Sequence, residues 1–137
     1  MNENGFESFE RAVRVEPDVV SLLSELEEII AVRFPLDRDG TRADMCEFVS
    51  SEVKTFFQKR GIPCDILEGE VTVGEKNHLV HRLNLIRSGT SAWVIDLSSK
   101  QIPLLKDKPW IMQELPNEPT AIRSFLESTY RWWFPKS

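Results

Sequence analysis

The centre of the chain alternates between apolar and polar side chains on both sides of a short turn, and this pattern restricts the fold most. The alternation covers residues 77–87 and resumes over residues 91–97, with Ser88-Gly89-Thr90 between them. Side chains of a β-strand point alternately to opposite faces of a sheet, and a glycine-containing turn between two such segments is typical of a hairpin. We therefore expect two antiparallel strands here, preceded by a further strand over residues 64–73.

Two amphipathic helices are predicted ahead of these strands. The first covers residues 17–34, where apolar side chains recur every three or four positions with acidic ones between them. The second follows the turn-like segment 37–41 and is expected to end at Gly61, with Pro63 just beyond it. A third helix is predicted to open at Pro119-Thr120. The predicted fold class is α+β, with the N-terminal helices packed on a small antiparallel sheet and a helix near the C-terminus.

The composition is that of one ordinary globular domain. The chain has 137 residues, of which 41% are hydrophobic and 28% charged, so it is long and apolar enough to build a core. We expect a loose lead-in over residues 1–16 and a single domain over residues 17–137. The formal net charge is −5 and no basic stripe is visible, which argues against nucleic acid as a partner.

The sequence also bears on location. No apolar run reaches the length of a membrane span, so no membrane partner is expected. The first ten residues are polar and acidic and do not resemble a secretion signal. We expect synthesis in the cytoplasm, while later delivery elsewhere by a signal-independent route stays open.

The C-terminal third holds two segments of different character. Residues 98–119 contain four prolines and are predicted to be an ordered loop with short extended pieces. The last helix ends in the aromatic cluster Tyr130-Arg131-Trp132-Trp133-Phe134. Because large aromatic side chains dominate protein cores, we interpret this cluster as a helix end packed against the domain, in preference to a binding surface.

Cys46 lies where the second helical pattern opens. Thr41 or Asp44 would supply the N-cap oxygen, which places Cys46 in the first turn of the helix. The amides and the dipole of a helix start favour negative charge, and the thiolate is the nucleophilic form of cysteine. Cys46 is therefore a candidate nucleophile, although a lone cysteine is more often a buried structural residue.

The chain has two histidines, His78 and His81, and both fall on the strand predicted over residues 77–87. Because strand side chains alternate, the two imidazoles face opposite ways. His81 shares its face with three leucines, and we expect that face to point inward toward the helix that carries Cys46. His81 is therefore favoured over His78 as the functional histidine.

Asp96 ends the apolar run of the neighbouring strand. A carboxylate in that position costs desolvation energy unless a group pairs with it. The hairpin brings the two strands side by side, so we expect a hydrogen bond between Asp96 and His81. With Cys46, these residues would provide a nucleophile, a base and a group that orients the base. Taken alone, Asp96 also fits a cap for the Ser98-Ser99 turn.

This order of residues resembles the small papain-like and transglutaminase-like thiol enzymes. The features that carry the resemblance are a cysteine on a helix, Gly61-Ile62-Pro63 after that helix, and a histidine and an aspartate on neighbouring strands. The segment Ile95-Asp96-Leu97-Ser98-Ser99-Lys100-Gln101-Ile102 also resembles a hydrophobic-Asp-Leu-Ser/Thr-x-x-Gln ending of the family. The likeness extends over about residues 41–113.

The resemblance implies a papain-like core and an enzyme that transfers acyl groups from amides, with a protein or peptide substrate and no cofactor or metal. It assigns the nucleophile to Cys46, the general base and acid to His81 and the orienting role to Asp96, and it gives Gln101 no chemical role. It does not separate proteolysis from deamidation or acyl transfer, and similar folds serve as toxins, effectors and peptidases. No glutamine precedes Cys46 here, so oxyanion donors would come from backbone amides or from Asn84.

Three other interpretations stay open. The same fold would serve as a non-catalytic protein-interaction module, binding through the acidic N-terminal helix or the aromatic C-terminus. A redox protein would use Cys46 and Cys64, but these two are not a close Cys-x-x-Cys pair. A zinc site would draw on the same cysteines with His78 and His81, and the usual ligand spacing is missing.

Overall fold

The computed structural model describes residues 19–38, 40, 42, 45–74, 77–102 and 105–134. Within them the chain forms three α-helices and a curled antiparallel sheet of five strands, which confirms the predicted α+β class. The helices are α1 (Val19–Arg33), α2 (Cys46–Gln58) and α3 (Pro119–Tyr130). The strands are β1 (Cys64–Val73), β2 (Asn77–Ser88), β3 (Ser91–Asp96), β4 (Ile111–Pro116) and β5 (Trp132–Trp133). In this part of the chain, no helix combines the length and the apolar character needed to cross a bilayer.

The starts of the first two helices are only partly visible. The expected lead-in over residues 1–16 and the proposed caps Thr41 and Asp44 lie outside the described residues. Met45 occupies the N-cap position of α2 and makes no side-chain capping bond. The first backbone bond of the helix runs from the Val49 amide to the Met45 carbonyl at 2.8 Å, so Cys46 stands at the very start of α2.

Glycine ends the second helix, as the sequence predicts. Gly61 has a φ of 74°, a left-handed conformation that a residue without Cβ adopts at little cost. Its amide donates to the Gln58 carbonyl at 3.1 Å, and the Ile62 amide donates to the Phe57 carbonyl at 2.9 Å. These two bonds form the Schellman pair that closes a helix C-terminus and turns the chain toward β1.

The strand order is β4-β3-β2-β1-β5, and every neighbouring pair is antiparallel. The hairpin predicted around Gly89 joins β2 to β3, with Asn84 opposite Ile95 and Ser88 opposite Ser91. β3 pairs with β2 only from Asn84 to Ser88, whereas β1 pairs along β2 as far as Asn77. The part of β2 that carries His81 is therefore paired with β1 alone among the described strands.

Two separate apolar clusters cover the two faces of the sheet. One joins α1 and α2 to side chains that include Ile86 and Ile95. The other joins α3 to side chains that include Leu83 and Leu85. Leu83 and Leu85 on the leucine face of β2 are thus buried under α3, while Leu79 on the same face is exposed. The expectation that this face points toward the helix of Cys46 is therefore wrong for Leu83 and Leu85, because α2 packs against Ile86 and Ile95 on the opposite face. His81, in contrast, does interact with Cys46 at the start of that helix.

The proline-rich segment 98–119 is more regular than the sequence indicates. It contains a short 3-10 turn, Ser99–Gln101, and then β4, which forms the edge of the sheet beside β3. Pro116 is the last residue of β4, where the amide that proline lacks does not interrupt a ladder. The prediction of a loop with short extended pieces missed this strand, because its prolines mask a segment that is stabilised by pairing with β3.

Candidate active site

His81 and Asp96 form a short, buried hydrogen bond across the β2–β3 hairpin. The Nε2 atom of His81 lies 2.6 Å from Oδ2 of Asp96. Asp96 is the residue after Ile95, the last partner of β2 in the register, so its side chain shares a face with Val94 and with the leucine face of β2. The strand alternation therefore places the imidazole and the carboxylate on the same face, at the point where β3 ends.

Cys46 contacts the same imidazole from the start of α2. A side-chain hydrogen bond joins Cys46 to His81, and this bond and the charge of Cys46 both raise the pKa of the imidazole. Cys46 is partly exposed, whereas His81 is fully buried.

Burial and charge act in opposite directions on His81. Burial by itself lowers the pKa of the imidazole, because a charged ring is poorly solvated there. The negative charge of Asp96, the hydrogen bond that Asp96 accepts from His81 and the hydrogen bond between His81 and Cys46 outweigh burial and raise the pKa from 6.5 to about 9. At neutral pH the ring is therefore an imidazolium, which is the form that stabilises a neighbouring thiolate.

The two oxygens of Asp96 have separate partners. Oδ1 accepts hydrogen bonds from the backbone amide of Ser98 at 3.0 Å and from its hydroxyl at 3.1 Å. Oδ2 faces His81 and also accepts a bond of 2.7 Å from the hydroxyl of Tyr130. Asp96 therefore has both of the roles expected from the sequence. Its Oδ1 atom caps the turn that follows β3, and its Oδ2 atom faces the imidazole.

Tyr130 is a residue of this cluster that the sequence interpretation missed. It is the last residue of α3 and is fully buried. Burial, then the charge of Asp96 and the hydrogen bond to it, raise the pKa of the phenol well above 10, so Tyr130 is the donor in that bond. A signal was available, because Tyr130 continues the buried stripe of Ile122 and Leu126 and a buried phenol requires a hydrogen-bond partner.

The indole of Trp132 packs on β1 at Gly69. Gly69 lies directly opposite His81 in the β1–β2 register, and a Cβ on Gly69 would overlap the Trp132 ring. The missing side chain therefore lets the indole lie over β1 next to the histidine. The ring centroid of Tyr130 lies 5.9 Å from that of His81 and 6.1 Å from that of Trp132. The aromatic end of the chain is thus part of the wall of the site.

His78 lies away from this cluster. Its Nδ1 atom is 3.4 Å from a carboxylate oxygen of Glu70, and its ring stands edge-on to Trp133 at 5.3 Å. Both partners are exposed, and the histidine itself is at the surface. The structure therefore separates the two histidines as the alternation predicts, one in the buried cluster and the other in a solvated pair.

Asn84 and Cys64 belong to the face of the sheet under α2. The Asn84 amide donates to the Ser50 carbonyl at 2.9 Å and to the Cys64 sulfur at 3.5 Å, and the side chain is buried. The suggestion that Asn84 supplies an oxyanion donor is therefore wrong, because its donors are occupied on the other side of the sheet. Burial raises the pKa of the Cys64 thiol to about 11, so this second cysteine is a poor nucleophile.

The structure also bears on the possible zinc site and on the position of Gln101. Among the described residues, no group of three or more His, Cys, Asp and Glu side chains lies close enough to hold a metal ion. Gln101 lies in the 3-10 turn after Asp96, and its side chain is outside the described part of the structure.

No protein-family model matches this chain, and neither the curated proteins nor the solved structures contain a match to it. The chemistry of the site is therefore inferred from the geometry of its own residues. That geometry joins a partly exposed thiol, a protonated imidazole and a buried carboxylate through successive hydrogen bonds, the arrangement that nucleophilic catalysis by cysteine uses.

Proposed function

We propose that this protein is a thiol-dependent acyl-transfer enzyme that acts on amide bonds. Cys46 is the nucleophile, His81 the general base and acid, and Asp96 the residue that orients the imidazole. The observation that carries the proposal is the chain of hydrogen bonds from Cys46 to His81 and from His81 to Asp96, in which His81 and Asp96 are buried and Cys46 is partly exposed.

The reaction follows from these positions. The Cys46 thiolate attacks the carbonyl carbon of an amide and forms a C–S bond, while the electron pair of the C=O bond moves to oxygen. When the intermediate collapses, the C–N bond breaks and His81 gives its proton to the departing nitrogen. Water or another nucleophile then attacks the acyl-enzyme, His81 accepts its proton, and the Cys46 thiolate leaves. Asp96 holds the imidazole in one orientation throughout and stabilises its positive charge.

The start of α2 provides the electrostatics for the oxyanion. Cys46 is the first residue of the helix, so its own amide and those that follow it stand at the positive end of the helix dipole. Negative charge that develops on the carbonyl oxygen during attack is stabilised by such backbone donors. We assign the oxyanion site to these amides, in the place of the glutamine that papain-like enzymes often use.

The surroundings of the thiol favour a polypeptide substrate. Met45 and Phe48 flank Cys46 in the sequence and are 41% and 57% exposed. Large apolar side chains at the surface beside a reactive group are typical of a site that contacts another protein or a peptide. The proposed substrates are therefore peptide bonds, glutamine side chains or isopeptide bonds within polypeptides.

We also propose that the core is papain-like. What supports this is the order of Cys46, His81 and Asp96 along the chain, with the cysteine at a helix start and the other two on neighbouring antiparallel strands. The alternative of a non-catalytic interaction module draws less support. Tyr130 and Trp132 are buried, which leaves Trp133 as the exposed member of the aromatic end, at 46%.

The test is a panel of acyl donors presented to matched cysteine variants. Wild-type protein, Cys46→Ser and Cys64→Ser are incubated with a peptide library, glutamine-containing proteins and isopeptide-linked donors, and products are read by mass spectrometry. We expect turnover of one donor class by wild type and Cys64→Ser and none by Cys46→Ser. Turnover that survives in Cys46→Ser, or none of any class in the wild type, would overturn the proposal in favour of the interaction module.

A further inference from the structure

We propose that Tyr130 is a positioning residue for this chemistry, whose hydroxyl shares Oδ2 of Asp96 with His81 and so sets how strongly the carboxylate holds the imidazole. The inference rests on the proposed function for its catalytic meaning. The residue is contributed by α3, the last helix of the chain, which carries none of the three residues of the proposed triad.

The carboxylate of Asp96 is fixed by donors from three parts of the chain. Ser98 holds Oδ1 from the turn after β3, while Tyr130 from α3 and His81 from β2 both reach Oδ2. All of these groups are buried, so no solvent competes for the oxygens. Two donors on one oxygen divide its negative charge, and a carboxylate held on both oxygens does not rotate about its Cβ–Cγ bond.

The hydroxyl has a role that packing alone does not supply. The Tyr130 ring is held by edge contacts with Phe125 at 6.2 Å and Trp132 at 6.1 Å. Those contacts use the ring, and phenylalanine would keep them. Only the hydroxyl reaches Asp96, so Tyr130→Phe removes the bond and leaves the core filled.

The charged and titratable groups that face His81 can be named for each element around it. They are Asp96 from β3, Cys46 from α2 and Tyr130 from α3, while β1 presents Gly69 and β5 presents the uncharged Trp132. Removal of the Tyr130 hydroxyl returns the full charge of Oδ2 to His81. The imidazolium is then held more tightly and titrates at higher pH. A more basic imidazolium gives its proton to the departing nitrogen less readily, which slows the reaction.

Nuclear magnetic resonance of labelled histidine tests the inference without a substrate. The chain has only two histidines, so His78 serves as an internal control in the same spectra. In Tyr130→Phe we expect the midpoint of the His81 titration to rise by about half a pH unit to one unit, the size of one buried hydrogen bond. His78 should not move. Leu126→Ala, a cavity on the same face of α3, is the control for a purely structural effect and should leave the His81 midpoint in place.

If Tyr130→Phe does not fold, a second modified form of the protein still tests the inference. Tyr130 is the only tyrosine, so growth with 3-fluorotyrosine alters the phenol at this one position and retains its shape. A more acidic phenol donates more strongly to Oδ2, and the His81 midpoint should move to lower pH, opposite to the Phe variant. An unchanged midpoint in every protein that folds would overturn the inference.

Measurements of activity distinguish a failure of this inference from a failure of the proposed function. If both hold, kcat of Tyr130→Phe falls about tenfold or more while KM changes little, because the hydroxyl does not touch the substrate. If Cys46→Ser keeps full activity, the proposed function fails whatever the His81 midpoint does. If Cys46→Ser is inactive and Tyr130→Phe matches the wild type in midpoint and kcat, only the role of Tyr130 is refuted.

Discussion

The Nε2 atom of His81 lies 2.6 Å from Oδ2 of Asp96, and neither side chain is more than 1% exposed. A charged pair taken out of water in this way gains little net stability when both members are present, because desolvation offsets the attraction. The loss of one member leaves a buried charge without compensation, and that is costly. We therefore interpret the role of this pair as fixing the protonation state and the orientation of the imidazole.

The first prediction concerns Asp96→Asn. The side chain keeps its size but loses the charge that raises the pKa of His81, so burial then dominates and the pKa should fall from about 9 to below 6.5. We expect the free energy of unfolding to drop by about 3 kcal/mol or more. Histidine titration by nuclear magnetic resonance and urea unfolding measure the two effects. Glu70→Gln is the matched control, because it removes the carboxylate that faces His78 and should leave His81 unchanged.

A second prediction is the pH dependence of stability. The pKa of His81 is raised from 6.5 to about 9 in the folded protein, so its stabilising contribution is complete below about pH 6.5 and is lost as the pH rises through about 9. The advantage of wild type over His81→Gln in free energy of unfolding should shrink by about 3 kcal/mol from pH 6 to pH 10. An advantage that stays constant over this range would show that the folded protein does not hold His81 as an imidazolium.

The helices, the hairpin and the pairing of His81 with Asp96 were accessible from sequence because each depends on periodicity or on neighbours along the chain. Alternation over β2 puts His81 on the opposite face from His78, and a tight turn at Gly89 brings β3 alongside. Such features are local, and the apolar pattern records them directly.

The rest of the site depends on how distant elements pack. Tyr130 lies 34 residues beyond Asp96, and their bond exists only because α3 covers the leucine face of β2. Nothing in the pattern of β2 says which helix covers which face, so the sequence does not reveal that α3 packs on Leu83 and Leu85 while only Cys46, at the start of α2, reaches His81. β5 has two residues, too few for alternation to indicate a strand, and it is stabilised by pairing with β1.

The third prediction tests the packing of Trp132 against β1. In Gly69→Ala the new Cβ would overlap the indole, so the ring must move away from its place beside His81. We expect a loss of about 1–3 kcal/mol in the free energy of unfolding, the usual cost of overpacking a core. Urea unfolding measures it, and tryptophan fluorescence reports the displaced ring. Gly74→Asn is the control, since open space surrounds that position and asparagine tolerates its positive φ of 74°. Equal stability of the two variants would contradict the described position of Trp132.

A fourth prediction compares the two thiols within one molecule. Cys64 is buried, and burial raises its pKa to about 11, whereas Cys46 is partly exposed beside the imidazolium of His81. At neutral pH, iodoacetamide should modify Cys46 first and reach Cys64 only after the protein is unfolded. Peptide mapping by mass spectrometry distinguishes the two sites. Faster modification of Cys64 in the folded protein would mean that the roles of the two cysteines are reversed.

The most direct test of the central claim is the rate at which Cys46 is alkylated when His81 is removed. In a Cys64→Ser background, the second-order rate constant with iodoacetamide near pH 6.5 is compared for the parent, His81→Ala and His78→Ala, with folding checked by circular dichroism. Because the imidazolium stabilises the thiolate, we predict that His81→Ala lowers the rate constant by about tenfold or more and that His78→Ala leaves it unchanged. Equal rate constants in all three folded proteins would show that His81 does not activate Cys46.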